Sequence, residues 1–144
     1  MRDRITSTLL WGVILVCGCS RGPEMVPVVG KIVYEDQPLE YGSVMFQPVG
    51  VEGAQTARSQ ISPDGRFALW TTKPGDGVMV GQSRVRVTAF EAQRTNATGA
   101  QHEEMALGKS AIPRRFQNFG TSGIVIDVSP DMSLPITIDL SAVD

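Results

Sequence analysis

The acid–base chemistry open to this chain is limited by its single histidine, His102, which is followed by Glu103 and Glu104. A serine hydrolase would need His102 as its base, and no nucleophile motif of the G-x-S-x-G type accompanies it. A zinc site needs three or four ligands that converge in tetrahedral geometry, which neighbouring loop residues rarely supply. The sequence therefore predicts no catalytic residue, no metal site and no cofactor, and a solvated loop around His102.

Trp70, Arg84 and Arg86 are the best candidates for contact with a ligand. All three fall on the outward phase of alternating segments. An exposed indole can stack on a sugar ring, and outward arginines, with Arg114 and Arg115 nearby, can bind acidic groups. Each residue also has an explanation without a ligand: Trp70 can cover the core under a loop, and arginines on a strand often serve solubility alone.

The segment Lys-Pro-Gly-Asp-Gly at residues 73–77 allows two explanations. A calcium loop is one, but Ca²⁺ takes six to eight oxygen ligands and Asp76 is the only carboxylate in the segment. A structural turn is the other, because an aspartate side chain readily accepts hydrogen bonds from its own backbone. The turn is the prediction.

The first eighteen residues have the pattern of an export signal. Arg2 and Arg4 precede an apolar stretch at residues 5–16. Twelve residues at about 1.5 Å each make a helix of about 18 Å, too short for a hydrocarbon core of about 30 Å. Basic residues before such a stretch and small residues after it predict a signal peptide over residues 1–18.

The end of this segment, Val-Cys-Gly-Cys, resembles the lipobox of bacterial lipoproteins, in which a small residue precedes the cysteine that is lipidated. Gly18 meets that requirement for Cys19, whereas Val16 does not meet it for Cys17. The resemblance implies a diacylglycerol on Cys19, an added N-acyl chain such as palmitate, and a short tether over residues 19–26. An ordinary cleaved signal or an uncleaved anchor is the alternative.

The composition of the chain indicates that the part after the tether forms one folded domain. The chain has 144 residues, with 13 Lys+Arg against 15 Asp+Glu and a net charge of -2. This balance argues against a general nucleic-acid binder, which normally carries a basic surplus. A hydrophobic content of 42% is enough to form a core, so residues 27–144 are predicted to be a single domain.

Apolar and polar residues alternate in short segments through this domain, which is typical of half-buried strands. The polar third strand, residues 55–61, and the seventh strand, which contains Pro135, suit sheet edges. With no helical periodicity of useful length, the pattern predicts an all-β antiparallel sandwich of about seven strands. The inward residues are Val28, Ile32 and Tyr34 in the first strand, Val44 and Phe46 in the second, Phe67 and Leu69 in the fourth, Val85, Val87 and Ala89 in the fifth, Ile124, Ile126 and Val128 in the sixth, and Leu134, Ile136, Ile138 and Leu140 in the seventh.

Two connections stand out between these strands. Ser-Pro-Asp-Gly at residues 62–65 predicts a tight turn that joins the third and fourth strands as a hairpin. Residues 91–115 form one long interruption, with a helical turn possible at residues 103–107, and a loop of that length is either functional or disordered.

The order of these motifs resembles the transthyretin-like, carboxypeptidase regulatory-like domains. Together with the lipobox, it is similar to small planctomycete-type lipoproteins. The resemblance implies a prealbumin-like β-sandwich outside the cytoplasm and carries over no catalytic residue, since the domain beside carboxypeptidases is an accessory one. The motifs are Val26 to Ile32, Pro38-Leu39, Gly42 to Phe46, Asp64 to Phe67, Lys73 to Gly77, Ile112 to Phe116 and Thr121 to Ile124.

These features predict a lipid-anchored, non-enzymatic protein of the cell envelope, at the outer membrane or the periplasmic face. Its first expected role is structural or a protein interaction through sheet edges. The alternative is a carbohydrate-binding module that uses Trp70 with Arg84 and Arg86. Expected partners are a membrane, through the lipid, and an envelope protein or polysaccharide, with no nucleic acid.

Overall fold

The computed structural model describes residues 22–91 and 108–143, and this part of the chain is all-β. Its one helical element is a 3-10 helix, Arg114–Gln117. The strands are β1 (Met25–Val26), β2 (Val29–Tyr34), β3 (Gln37–Pro38), β4 (Ser43–Pro48), β5 (Ala57–Gln60), β6 (Arg66–Ala68), β7 (Val78–Met79), β8 (Gly81–Thr88), β9 (Val125–Val128) and β10 (Ile136–Asp139). The prediction of an all-β chain is confirmed. The three additional strands have two residues each, too few to show a periodicity.

Two four-stranded sheets carry most of the structure. In the first sheet, β2 pairs with β10 along one edge and with β6 and β3 along the other. The second sheet has the order β5-β4-β8-β9, with every neighbouring pair antiparallel. A two-stranded ribbon of β1 and β7 completes the topology.

One hydrophobic core joins the two sheets, because the inward residues of both sheets belong to the same buried cluster. Ile32 of β2, Val44 and Phe46 of β4, and Val85 and Val87 of β8 are each fully buried. Burial of apolar side chains is the main favourable term in folding, so this shared cluster is what stabilises the pair of sheets. The alternation in the sequence predicted the inward phase of these strands correctly.

The two ends of the domain are distinct. β2 and β8 both begin beside the β1–β7 ribbon, at what we call the β1 end. The turns at residues 35–36 and 62–65 lie together at the opposite end, called the turn end, where the Ile32 amide donates to the Gly65 carbonyl. The eight residues of β8 span this distance, about 26 Å at 3.3 Å per residue.

The turn at residues 62–65 and the hairpin around it form as predicted, but the hairpin is open at its centre. The Gly65 amide donates to the Ser62 carbonyl at 2.8 Å, and Gly65 has a φ of +80°, which glycine adopts readily. The Ser62 amide donates to the Arg66 carbonyl at 2.9 Å, and the two strands meet again at Arg58 and Trp70. Between these points they separate, since β5 pairs with β4 while β6 pairs with β2 in the other sheet. The turn therefore connects the two sheets.

A hydroxyl group bridges the gap that this separation leaves. The Ser59 side chain accepts a hydrogen bond from the Ala68 amide at 3.1 Å and donates one to the Gln60 carbonyl at 2.8 Å. Ser59 is a buried polar residue of β5, and its hydroxyl takes the place of a direct backbone bond between the strands. Further along, Arg58 and Trp70 exchange backbone hydrogen bonds at 2.8 and 3.1 Å.

The last strand departs from the antiparallel prediction, because β10 runs parallel to β2. β9 runs toward the β1 end, where Val128 pairs with Gly81 at the start of β8. The chain therefore crosses to the first sheet at the end where β2 begins, and β10 must run in the same direction. As predicted, β10 is an edge strand, since it pairs with β2 alone in the described part.

The two ends of the interruption at residues 91–115 are hydrogen-bonded to each other and to the end of the strand before it. The Glu91 amide donates to the Lys109 carbonyl, and the Ala111 amide donates to the Ala89 carbonyl, each at 2.9 Å. These bonds extend the pairing beyond β8, and the 3-10 helix follows with Phe116 fully buried. The predicted helical turn at residues 103–107 lies outside the described residues.

Candidate functional site

The outward side of the second sheet brings together a row of residues from three strands. Arg58 of β5 pairs directly with Met45 of β4, and Met45 pairs directly with Arg86 of β8. Directly opposed residues of an antiparallel pair project to the same side of a sheet. The row therefore extends across the sheet on the side away from the core.

Aromatic rings lie at both ends of this row. The Arg58 guanidinium carbon is 4.4 Å from the Trp70 ring centroid, and that of Arg86 is 5.0 Å from the Phe119 ring centroid. Both distances are within the range of cation–π attraction. Arg86 also donates from Nε and Nη2 to the Met45 sulfur, at 3.3 and 3.0 Å. These contacts hold both guanidinium groups close to the sheet surface.

Arg84 adds a third positive charge to the same side. It is an exposed residue of β8, paired with Gln47 of β4 and Val125 of β9. We call this surface the arginine face, and define it by Arg58, Arg84, Arg86, Met45, Trp70 and Phe119.

The arginine face has no internal counter-ion in the part of the chain that the structure describes. The ion pair found there joins Arg66 to Asp64 at 3.2 Å, at the turn between β5 and β6, and includes no residue of the arginine face. Asp127 of β9, which is paired with Gln82, projects to the same side of the sheet but forms no ion pair with these arginines in the described part. The three guanidinium groups therefore remain available to an anionic ligand. Arginine suits that role because its planar donors bind carboxylate, sulfate or phosphate oxygens in pairs.

Sequence reasoning identified half of this surface. Trp70, Arg84 and Arg86 are on one side of one sheet, as their outward phase predicted. Arg58 and Phe119 were missed, because their proximity depends on strand register and on the loop after the 3-10 helix. Arg115 is engaged elsewhere, where its guanidinium carbon lies 4.6 Å from the Phe116 ring centroid and it donates to the Val143 carbonyl.

A larger cleft, of about 760 Å³, lies on the outward side of the first sheet. Val29, Lys31, Arg66 and Thr137 are among its lining residues. It is an open groove in which Arg66 is already paired with Asp64, so it offers less unpaired charge than the arginine face.

The segment at residues 71–77 is a structural turn closed by one carboxylate. Asp76 accepts hydrogen bonds from the backbone amides of Thr71 and Thr72 at 2.8 Å and of Lys73 at 2.9 Å. The Thr71 amide is the largest cause, followed by those of Lys73 and Thr72, of a pKa lowered from the usual value for this carboxyl. The predicted turn is present, and both carboxylate oxygens are occupied by backbone donors.

Replacing Asp76 with Asn is expected to lower the melting temperature by several degrees near neutral pH. The new amide nitrogen would face the donating amides of Thr72 and Lys73 in place of an acceptor. Because the folded-state pKa is depressed, this stabilisation is present above the unfolded pKa and is lost as pH falls through the folded value. Thermal denaturation of both proteins between pH 2 and pH 7 measures the difference, which should shrink with acidification.

Asp131→Asn is the matched control, because Asp131 is exposed and its carboxylate accepts no hydrogen bond in the described part. It should leave the melting temperature unchanged. A difference for Asp76→Asn that persists undiminished at the lowest pH would contradict the role of the ionised carboxylate.

No group of three or more His, Cys, Asp or Glu side chains is placed to hold a metal within residues 22–91 and 108–143. Among the same residues, no helix has the length and apolar character needed to cross a membrane. Cys19 and His102, the predicted lipidation residue and the one histidine, lie outside the described residues.

Comparison of the chain with protein-family models, with curated proteins and with solved structures finds no match.

Proposed function

We propose that this protein is a non-catalytic binding module of the cell envelope, held there by lipid on Cys19, and that the arginine face binds an acidic polysaccharide. The observation that carries the proposal is the row of guanidinium groups between Trp70 and Phe119 with no carboxylate partner in the described part. This choice favours the second of the two roles expected from the sequence.

The shape and charge of the surface support a polymeric acidic ligand. The arginine face is the side of a sheet, open along its strands, so it suits an extended chain better than an enclosed small molecule. Stacking on Trp70 and Phe119 restricts Arg58 and Arg86 before binding, which lowers the conformational entropy that binding would cost. A sugar ring can stack beside them while its carboxylates accept from the guanidinium groups.

The proposed fold is a prealbumin-like β-sandwich of the transthyretin-like type. Two four-stranded sheets on one core support it. Parts of the motif segments of the resemblance also lie in strands: Gly30 to Ile32 are in β2, Pro38 is in β3, and Val44 to Phe46 are in β4. Export and anchoring rest on the signal pattern of residues 1–18 and on the lipobox.

A second candidate function is the binding of an envelope protein by strand addition. β10 supports it, because one edge of this strand is unpaired in the described part and Thr137 is exposed there. The third predicted strand is less suitable, since the free side of β5 is engaged with Trp70 at Arg58. A photo-crosslinker at position 137 in intact cells tests this candidate, which fails if no protein is captured.

Polysaccharide binding can be followed through Trp70, the only tryptophan left once the predicted signal peptide with Trp11 is removed. We expect oligogalacturonate to change the Trp70 emission and dextran, a neutral polymer, to leave it unchanged. Arg86→Gln should weaken binding at least about tenfold, because a hydrogen bond to a charged group contributes about 1.5–3 kcal/mol. Added salt should weaken binding further.

Arg66→Gln is the control, since it removes one arginine from the other sheet and leaves the arginine face intact. Equal affinities for all three proteins, or an emission that does not respond to oligogalacturonate, would rule out the arginine face as the binding surface.

A further inference from the structure

The chain segment that leads back to Cys19 is fixed to the β1 end of the domain. β1 pairs with β7 through Met25–Met79 and Val26–Val78, and the Val80 amide donates to the Glu24 carbonyl at 2.9 Å. The domain is therefore held from residue 24 onward. Only residues 20–23 lie between the fixed part of the domain and the proposed lipidated residue, Cys19.

Chain length limits the distance between the membrane and the β1 end. Five residue steps separate Glu24, the first fixed residue, from Cys19, and each step spans at most about 3.6 Å. Glu24 must then lie within about 18 Å of the lipidated residue. A tether of this length keeps the β1 end close to the bilayer.

Two loops share the β1 end with this segment. A cleft of about 360 Å³ is lined by Pro23 and Met25 together with parts of residues 53–55 and residues 71–76. The first loop, residues 49–53, carries two valines that are exposed in the structure, Val49 at 38% and Val51 at 51%. A bilayer at this end of the domain would remove the apolar surface of both side chains from water.

We propose that the loop of residues 49–53 rests on the lipid bilayer, with Val51 in the headgroup region. The proposal depends on the lipidation of Cys19 in the proposed function. Two valines alone bind lipid weakly, but the tether raises their effective concentration at the surface. Glu24 and Glu52 at this end carry more negative charge than Lys73 carries positive charge. Anionic lipid would therefore not strengthen the contact, which depends on apolar side chains.

This orientation directs the strands away from the membrane and leaves the arginine face on the side of the domain. The turn at residues 62–65 is then the part most distant from the lipid. Position 63 at this turn and position 51 therefore differ most in their expected depth.

The test uses the full mature lipoprotein in phosphatidylcholine vesicles. Val51→Cys and, as the matched control, Pro63→Cys each supply a single free thiol, because Cys17 is removed with the signal and the Cys19 sulfur carries lipid. Each is labelled with the fluorophore NBD, and quenching by a lipid with a nitroxide near its headgroup is measured. We expect at least threefold stronger quenching and a blue-shifted emission at position 51.

Mass spectrometry of the amino-terminal peptide separates the two ways to fail. Lipid on Cys19 with equal quenching at positions 51 and 63 overturns the orientation and leaves the anchoring intact. An unmodified Cys19 overturns the anchoring and the orientation together.

Discussion

Cells that express Cys19→Ala are expected to incorporate no labelled palmitate into this protein and to release it from the membrane fraction. Three acyl chains would anchor the mature protein, and each buried methylene group contributes about 0.8 kcal/mol. One chain gives only marginal binding and two or more give stable attachment, so loss of all three should be complete. Fractionation followed by immunoblotting measures the release, and metabolic labelling measures the lipid.

Cys17→Ala is the control for this experiment. Val16 before Cys17 does not fit the lipobox, whereas Gly18 before Cys19 does, so the Cys17 variant should still be labelled and membrane-bound. Label retained by Cys19→Ala, or lost from Cys17→Ala, would show that the lipid is attached differently.

Gly42→Ala is expected to destabilise the domain by at least about 3 kcal/mol. Gly42 has a φ of +122°, in the region that favours glycine. A Cβ there would lie 3.1 Å from the Ala89 Cα and far inside van der Waals contact with the Thr88 carbonyl oxygen. Both neighbours are backbone atoms at the end of β8, so neither can move without breaking the pairing of β4 with β8. Urea denaturation measures the loss as a lower midpoint.

Gly50→Ala is the control that separates the cost of a steric clash from the cost of a positive φ in a residue other than glycine. Gly50 also has a positive φ, +76°, but a Cβ there would meet no atom within 4 Å. Its cost should be limited to the conformational strain of about 1–2 kcal/mol. Similar losses for the two variants would mean that the close approach of Gly42 to Thr88 is not what the domain depends on.

The sequence was sufficient to predict seven of the strands and the inward direction of most of their apolar side chains. Leu134, which was expected to face inward, is instead 41% exposed and precedes β10. Val44 and Phe46, or Val85 and Val87, alternate with polar residues, and a period of two is a local property. Which strands pair with each other depends on residues that are distant in the sequence. The turn at residues 62–65 predicted a hairpin, which is present at Ser62–Arg66 and Arg58–Trp70, but nothing in its sequence indicates that β5 and β6 also join different sheets.

The arginine face likewise combines residues that local alternation predicts with residues that only strand pairing brings together. Arg84 and Arg86 could be placed on an outward surface from their own strand, and Trp70 from the next. That Arg58 joins them follows only from the register of β5 with β4, which sequence alternation leaves undetermined. Phe119 comes from an irregular segment after the 3-10 helix, and no pattern in the sequence indicates it.

The parallel course of β10 determines the end of the domain at which Ser141 lies. β10 starts beside β2 at the β1 end, and the residues that follow it reach the turn end, where the Glu35 amide donates to the Ser141 hydroxyl at 2.7 Å. In the proposed orientation, a fluorescent reporter or affinity tag attached at Ser141 would lie roughly one strand length from the headgroups. Such a label would be accessible to antibodies or proteases added from that side.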